Sequence, residues 1–346
     1  MDIVILLTGV FVAFGVTALL GIWMIPFLRK LKFGQTILSD GPAWHQSKQG
    51  TPVMGGLMFI IGIVVALAVT VVLAVVLKDN RIYTELVSTF AQNRLQVLRV
   101  VAALGLALAS GLIGFMDDYI KVVKKQNLGL TVKQKTLLQL LVAAAYLVTL
   151  ALLGDMTTKI PFIGAVDVSH GIGLIYWPIA LMFVYGFVNS VNLTDGVDGL
   201  CSSVTLVVAV FFLLLSGTLH IESLGLLSCC VAGGLAGFLV WNLKPAKVFM
   251  GDTGSLFLGG LVCGLAFASE YPVLLLPVGI VYLVEAFSDI LQVGYYKKTK
   301  KRIFKMAPIH HHFEMCGWSE NKIVVVFSLV TVLGGVLAAA CYHFGR

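Results

Sequence analysis

Five aspartates stand where apolar stretches of the sequence end or begin, and their spacing suits the binding of a divalent cation. They are Asp117, Asp118, Asp195, Asp198 and Asp252. Two adjacent aspartates resist ionising together, so that one can act as a base, or both can bind a cation. The alternative is a hydrated helix end whose acids face lysines three or four residues on, such as Lys121. Carboxylates beside long apolar stretches are costly unless paired or hydrated, so all five are candidate site residues.

The segment 189–200 consists almost entirely of hydrogen-bonding and turn residues between two apolar stretches. It reads Asn-Ser-Val-Asn-Leu-Thr-Asp-Gly-Val-Asp-Gly-Leu. Its asparagines and aspartates can cap the helix that follows. Capping does not explain why two asparagines, a threonine and two aspartates cluster here, and such groups suit recognition of the hydroxyls and base edge of a nucleoside. This segment is therefore a candidate nucleoside-binding loop.

Glycines flank Asp252 in the segment 241–255. They let backbone amides approach an anion closely, and the N-terminus of the following helix favours negative charge. Asp252 can hold Mg²⁺ against phosphate oxygens, since proteins usually bind this ion through one or two carboxylates together with substrate phosphates. Phe249 can stack on a base. The alternative is a glycine-rich turn in which Asp252 caps the helix.

Three consecutive histidines, His310, His311 and His312, follow a basic stretch that runs from Lys297 to Lys305. Neighbouring side chains on a helix point about 100° apart, so the three alone cannot form a zinc site, and zinc is the minor alternative. Imidazoles that donate to a diphosphate are the favoured interpretation. The lysines also suit anchoring to anionic lipid headgroups.

The composition indicates that lipid is the solvent for most of the chain. Apolar residues make up 59% and charged residues 12%, whereas soluble domains carry about 25% charged residues. The mean hydropathy is +0.98. The net charge of +7 is attributed to membrane topology, so no nucleic-acid partner is expected. The six cysteines show no CxxC spacing and are interpreted as small buried apolar residues.

Ten apolar stretches predict an all-α polytopic membrane protein, because crossing a bilayer takes about 20 apolar residues in a helix. With no internal repeat or soluble segment, the chain 1–346 is predicted to be a single transmembrane domain. Glu285 and Asp289, inside the ninth stretch, should face the bundle or a lipid groove. The stretches lie near 3–25, 53–77, 97–116, 136–153, 172–190, 199–216, 224–241, 254–269, 272–292 and 321–342.

Lys and Arg are concentrated on one side of the predicted bundle. That side should be cytoplasmic, which places the aspartates in a cleft at the cytoplasmic face and both termini outside. The loops of the opposite side show no comparable cluster of acids. The basic side carries Arg29, Lys30, Lys32, Lys48, Lys121, Lys124, Lys125, Lys133, Lys135, Lys244, Lys247, Lys297, Lys298, Lys300, Lys301, Arg302 and Lys305. The opposite side carries Lys78, Arg81, Arg94, Arg99, Lys159 and Arg346.

Taken together, these motifs resemble the phospho-N-acetylmuramoyl-pentapeptide transferases, a branch of the polyprenyl-phosphate N-acetylhexosamine-1-phosphate transferases. The resemblance runs over essentially the whole chain, from the Gly-Thr-Pro-Val-Met-Gly-Gly segment 50–56 through the Asp-Asp, Asn-x-x-Asp-Gly-x-Asp-Gly and Gly-Asp-x-Gly-Ser motifs to His-His-His-Phe-Glu at 310–314. The histidine segment favours the muramoyl-pentapeptide branch over the N-acetylglucosamine branch.

The resemblance implies a role for each matching position. Asp252 would bind Mg²⁺ together with Asp117, which is also the leading candidate for the catalytic base, with Asp118 in support and His310 as a further catalytic residue. The implied substrate-binding residues are Lys48, Lys121, Lys133, Asn192, Asp195, Gly196, Asp198, Asn242, Phe249, His311 and His312.

The resemblance also implies partners: UDP-N-acetylmuramoyl-pentapeptide from the cytoplasm, undecaprenyl phosphate from the bilayer of a bacterial inner membrane, and a second copy in a homodimer. The alternatives are N-acetylglucosamine-1-phosphate transfer to the same lipid and, in a different class, a secondary transporter. Transporters tend to place charges near the bilayer midplane and to show repeated halves, whereas here the aspartates lie on one face.

Overall fold

The structure, a computed structural model, describes residues 3–31, 48, 50–76, 94–123 and 128–346. It consists of helices and one short hairpin, in which strands β1 (Thr157–Ile160) and β2 (Gly164–Asp167) pair antiparallel with Thr157 opposite Asp167. The helices are α1 (Ile3–Lys30), α2 (Gly56–Val76), α3 (Arg94–Val123), α4 (Val132–Leu152), α5 (Tyr176–Leu193), α6 (Leu200–Leu219), α7 (Glu222–Asn242), α8 (Gly251–Ala268), α9 (Leu275–Val278), α10 (Ile280–Thr299), α11 (Ile309–Met315) and α12 (Glu320–Phe344).

Within the described ranges, nine helices are long and apolar enough to cross a membrane. A tenth span results if Pro272–Val278 and Ile280–Thr299, which are bent by 75° at the break between them, are counted as one. The ten apolar stretches of the sequence correspond to these nine helices and the bent pair. The prediction of an all-α polytopic membrane protein with about ten spans is therefore confirmed. Of the cations used to orient the bundle, Lys32, Lys78, Arg81, Lys124 and Lys125 lie outside the described residues.

Helix α8 lies at the centre of the bundle and carries Asp252 in its first turn. Of the 18 residues of α8, 89% are buried, whereas only 17% are buried in the most apolar 18-residue stretch of α1. A helix that is apolar on every side must be surrounded by protein or by lipid. For α8 the surroundings are protein, since it packs against α2, α3, α5 and α6, whereas α1 exposes side chains such as Phe11 and Trp23 that suit contact with acyl chains.

A cluster of charged side chains closes the end of α8 opposite Asp252. Arg99 of α3 is buried and pairs with both oxygens of Asp155 and with Glu270, which also pairs with Lys159. Burial alone would raise the pKa of Glu270, but Lys159 and Arg99 outweigh burial and lower this pKa below its ordinary value. The cluster ties α3 to the connections that follow α4 and α8. This charged cluster was not predicted, because Asp155 and Glu270 are isolated acids that lie far apart in the sequence.

The contact between α3 and α8 depends on Gly114. A Cβ at this position would lie 2.0 Å from the carbonyl oxygen of Asp252, far inside van der Waals distance. The absence of a side chain therefore lets the end of α3, with Asp117 and Asp118, come directly against the first turn of α8.

We predict that Gly114→Ala lowers the thermal unfolding temperature of the detergent-purified protein, because overpacking a tight contact costs about 1–3 kcal/mol. Gly105→Ala is the matched control. Gly105 lies on the same helix, and no atom of the described residues lies within 4 Å of the place that a Cβ would take there, so this change should leave the unfolding temperature unchanged or raise it. Equal unfolding temperatures for the two variants would show that the close contact at Gly114 does not limit packing.

Candidate active site

Three carboxylates meet where the end of α3 reaches the start of α8. One oxygen from each of Asp117, Asp118 and Asp252 lies within 4.8 Å of the others. Asp117 and Asp118 are buried and Asp252 is half-buried. Three carboxylates this close repel one another unless cations or hydrogen-bond donors compensate them. The partners of each carboxylate therefore decide what it can do.

Asp118 binds the N-terminus of α8. Its oxygens accept hydrogen bonds from the backbone N–H of Thr253 at 2.9 Å, from the Thr253 hydroxyl at 2.7 Å and from the backbone N–H of Asp252 at 3.3 Å. An anion is favourable here because the first N–H groups of a helix lack intrahelical partners. Asp118 therefore positions the first turn of α8 and orients Asp252.

Asp117 has a different set of partners. One oxygen accepts from the backbone N–H of Leu130 at 2.8 Å, and the other pairs with Lys121, one turn later on α3, at 2.5 Å. The two adjacent aspartates therefore have separate contacts. Asp118 joins α3 to the N-terminus of α8, whereas Asp117 pairs with Lys121.

Asp252 is held by two lysines and an asparagine. One oxygen accepts from Asn192 at 2.9 Å, and the other pairs with Lys121 at 2.9 Å and with Lys135 at 3.1 Å. Asn192 also donates to Ser255 at 2.7 Å, so the end of α5 is fixed against α8. Lys121 contacts both Asp117 and Asp252 and is the cation that bridges the cluster.

Lys135 was not predicted as a site residue. It reaches Asp252 because a capping box fixes the start of α4: Thr131 accepts from the N–H of Gln134, and the Gln134 side chain accepts from the N–H of Thr131. Lys133, which was predicted to bind substrate, is exposed. Residues two apart on a helix point about 200° apart, which explains why only one of these lysines faces Asp252. The role of Lys133 stays a prediction.

Asp195 lies beside the cluster at the turn between α5 and α6 and is half-buried. Burial, followed by the negative charges of Asp252, Asp118 and Asp198, raises the pKa of Asp195 well above its ordinary value. The hydrogen bond from Asn192 to Asp252 joins segment 189–200 to the carboxylate cluster.

Lys48 and Asp198 belong to a network of charged residues next to this region. Lys48 pairs with Asp198 at 2.6 Å and with Glu320 at 2.7 Å, and Lys244 pairs with Glu320 at 2.8 Å. Burial opposes the charge of Lys48, but its hydrogen bonds to Asp198 and Glu320 outweigh burial and raise the pKa of Lys48. Glu320 and Lys244 were not predicted. The network joins the start of α12 to the turn at Asp198, and the binding roles of Lys48 and Asp198 stay predictions.

Asn242 and Phe249 lie on the connection between α7 and α8. The Asn242 side chain is buried, accepting from Ser202 at 2.9 Å and donating to the carbonyl of Val248 at 3.0 Å. It therefore shapes this connection, and its predicted contact with substrate stays a prediction. Phe249 is half-buried, and its carbonyl accepts from Gly55 at 2.8 Å, which fixes the start of α2 beside it.

The three histidines of α11 point in different directions, as consecutive helical positions require. His310 is buried and lies 3.0 Å from Glu285. His311 lies 2.6 Å from Glu314. His312 accepts from the backbone N–H of Lys305 at 3.2 Å and packs against Phe304. The predicted substrate contacts of His311 and His312 are untested by this geometry.

The carboxylate cluster fits a hard divalent cation. Mg²⁺ and Ca²⁺ take oxygen ligands, and Mg²⁺ commonly uses one or two protein carboxylates. Asp117 and Asp252 lie closest to Lys121, at 2.5 Å and 2.9 Å, whereas Asp118 lies 3.9 Å from it and binds the α8 terminus. The donor set is all oxygen, so it does not suit zinc, which prefers nitrogen and sulfur ligands.

The chain is similar in sequence to known proteins. The family described as "Glycosyl transferase family 4" matches residues 100–270, a range that contains the whole carboxylate cluster. A phospho-N-acetylmuramoyl-pentapeptide-transferase of Acetivibrio thermocellus is 44% identical over 322 residues, covering 93% of this chain and 90% of that protein. Proteins of the same name from Carboxydothermus hydrogenoformans and Halalkalibacterium halodurans are 44% and 41% identical, covering 92% and 96% of this chain and 96% of each relative.

The chain belongs to the phospho-N-acetylmuramoyl-pentapeptide-transferase family. It is therefore a membrane-embedded phosphoglycosyl transferase, of a family that acts on a nucleotide-linked sugar-peptide and a lipid carrier. The resemblance stated from the motifs is confirmed. In this transferase Asp117, Asp118 and Asp252, which the sequence analysis singled out, gather at one end of α8.

We predict that Lys135→Met lowers turnover by this transferase about tenfold, equivalent to ~1.4 kcal/mol, because it removes a cation beside Asp252 in a poorly hydrated site. Lys133→Met, which removes the same charge two residues earlier, should cost less than about threefold. Release of the nucleotide product by each purified variant is the measurement. A larger loss for Lys133→Met would favour the lysine chosen from the sequence.

Proposed function

We propose that this transferase moves phospho-N-acetylmuramoyl-pentapeptide from its UDP carrier to undecaprenyl phosphate, which releases UMP and forms the first lipid intermediate of peptidoglycan. The observation that supports this proposal most directly is the cluster of Asp117, Asp118 and Asp252 in a family whose relatives bear the name of this reaction. A phosphate oxygen of the lipid attacks the sugar-linked phosphorus, and the bond to UMP breaks as UMP leaves with the electron pair.

The charged residues suit such a transfer because phosphoryl chemistry depends on alignment and charge neutralisation. Lys121 and Lys135 converge on Asp252 and are placed to contact diphosphate oxygens. Mg²⁺ held by Asp117 and Asp252 would neutralise charge on those oxygens. Asn192 and Asp118 keep Asp252 in a fixed orientation, so that the site is organised before substrate binds.

Asp117 has two possible roles. It can act as a base that removes the last proton from the lipid phosphate, with His310 assisting. A phosphate monoester, however, loses its second proton near about pH 6, so little proton remains to be removed at neutral pH. The pairing of Asp117 with Lys121 favours the second role, in which Asp117 orients the cations of the site.

The remaining features of the proposal concern location and assembly. The site faces the cytoplasm and both termini lie outside, in the plasma membrane of a bacterium, because the basic loops lie on the side of the site. The chain is one transmembrane domain that works as a homodimer. Asp195, Gly196, Asp198 and Phe249 surround the uridine, and His311 and His312 the sugar and diphosphate.

We predict that the purified protein releases UMP from UDP-N-acetylmuramoyl-pentapeptide only when undecaprenyl phosphate is present, and that mass spectrometry finds the corresponding lipid diphosphate. UDP-N-acetylglucosamine should be turned over at less than about 1% of that rate, since loss of paired polar groups costs several kcal/mol. Preference for UDP-N-acetylglucosamine would support the other branch. Absence of UMP release from either sugar in detergent would contradict the proposal.

We also predict that Asp252→Asn loses about 100-fold or more of the UMP release, since it removes a charge from the centre of the electrostatic site, while the protein still inserts and elutes as a single species. The variant should also bind Mn²⁺, a paramagnetic substitute for Mg²⁺, more weakly by electron paramagnetic resonance. Asp167→Asn on the exposed hairpin is the matched control. Normal UMP release by Asp252→Asn would refute the assignment of Asp252 as a metal ligand.

A further inference from the structure

Glu285 is a carboxylate within an apolar span that has no role in the site described so far. It lies in α10 and is completely buried. A buried carboxylate without a partner costs several kcal/mol, so its neighbours reveal its role. The expectation that Glu285 faces the bundle is confirmed by its burial, whereas Asp289, one turn further along α10, is half-buried.

The partner of Glu285 is the first histidine of α11. Its Oε2 lies 3.0 Å from Nδ1 of His310, and the backbone N–H of His310 points to the same oxygen at 3.5 Å. His310 is itself buried. The backbone N–H of His310 can only donate, so Oε2 of Glu285 is the accepting oxygen, and Nδ1 is assigned as the donor of the second hydrogen bond to it.

The other ring nitrogen of His310 points to the candidate nucleoside-binding loop. A Cβ at Gly196 would lie 2.1 Å from Nε2, so the ring approaches the loop closely because residue 196 is glycine. In the described part of the chain Nε2 has no hydrogen-bond partner, and neither does Oε1 of Glu285. Buried polar nitrogens are nearly always paired, so an unpaired one beside Asp195 indicates a group that is completed by a ligand.

We propose that Glu285 is a positioning residue for the transfer reaction: it fixes the proton of His310 on Nδ1 and thereby presents Nε2 to a substrate oxygen at the Asp195–Gly196 turn. In the neutral ring Nε2 accepts a hydrogen bond, and in the protonated ring it donates one while Glu285 balances the charge. This inference rests on the proposed function. The same hydrogen bond also joins α10 to the short helix α11.

The first test measures the tautomer of His310 and does not depend on enzyme turnover. Nitrogen-15 spectra of histidine-labelled protein, with the His310 signal assigned by its loss in His310→Asn, should show the neutral ring protonated on Nδ1. Glu285→Gln should give a measurable population with the proton on Nε2, because a carboxamide both donates and accepts. Asp289→Asn, which removes a charge one turn away, should leave the signal unchanged. A wild-type ring protonated on Nε2 would overturn the proposal.

The second test is a double-mutant cycle on UMP release. Glu285→Gln should lower kcat about tenfold or more in the wild-type background, as the loss of a histidine-orienting partner does in metal sites. In the His310→Asn background the same change should cost less than about twofold, because residues that act through one another are not additive. An equal loss in both backgrounds would show that Glu285 acts through the fold alone. If the wild type released no UMP, the proposed function would fail while the spectra still decided the tautomer.

Discussion

The site depends on the hydrogen bonds between Asp118 and the first turn of α8. Because the N–H groups of Asp252 and Thr253 have no partner within their own helix, they can bind an anion, and Asp118 at the end of α3 supplies it. Together with the close contact at Gly114, this interaction holds the end of α3 against the start of α8, although the two helices are far apart in the chain. It also distinguishes the two adjacent aspartates: Asp118 binds the first turn of α8, whereas Asp117 pairs with Lys121.

Charge balance is the second constraint on the site. Three carboxylates within 4.8 Å are compensated by Lys121 and Lys135, which both contact Asp252. Substrates of this family carry phosphates, and lysines held by carboxylates can contact those phosphates without moving far. The all-oxygen donor set of the three acids also fits a hard divalent cation. The site is thus polar and preorganised although the surrounding helices are apolar, which is the arrangement that favours electrostatic catalysis.

Much of the fold and the location of the site could be predicted from the sequence. Ten apolar stretches correspond to nine spans and a bent pair, and the acids at 117, 118 and 252 meet as a shared ligand set would require. The choice between Lys133 and Lys135 could not be predicted, because it depends on the helix phase that the capping box at Thr131 sets. Nor could the buried pairing of Asn242 or the network of Glu320, since a single residue does not reveal a distant partner. The composition of a segment predicts whether its helix lies in lipid or in water, but it does not predict which residues an individual side chain contacts.

The two ends of α8 argue for chemistry at one face over passage through the bundle. Residues 256–268 of this helix are Leu, Phe, Gly, Val, Cys and Ala, a length of about 20 Å at 1.5 Å per residue. At the far end, Arg99, Asp155, Glu270 and Lys159 are paired with one another. An ion that moved along α8 from the carboxylates to the opposite end would pass only apolar side chains of that helix. It would lose its hydration there without gaining polar ligands, which is costly. The central helix therefore separates the carboxylate cluster at one end from a cluster of mutually paired charges at the other, and a transferase needs access to only one face of the membrane.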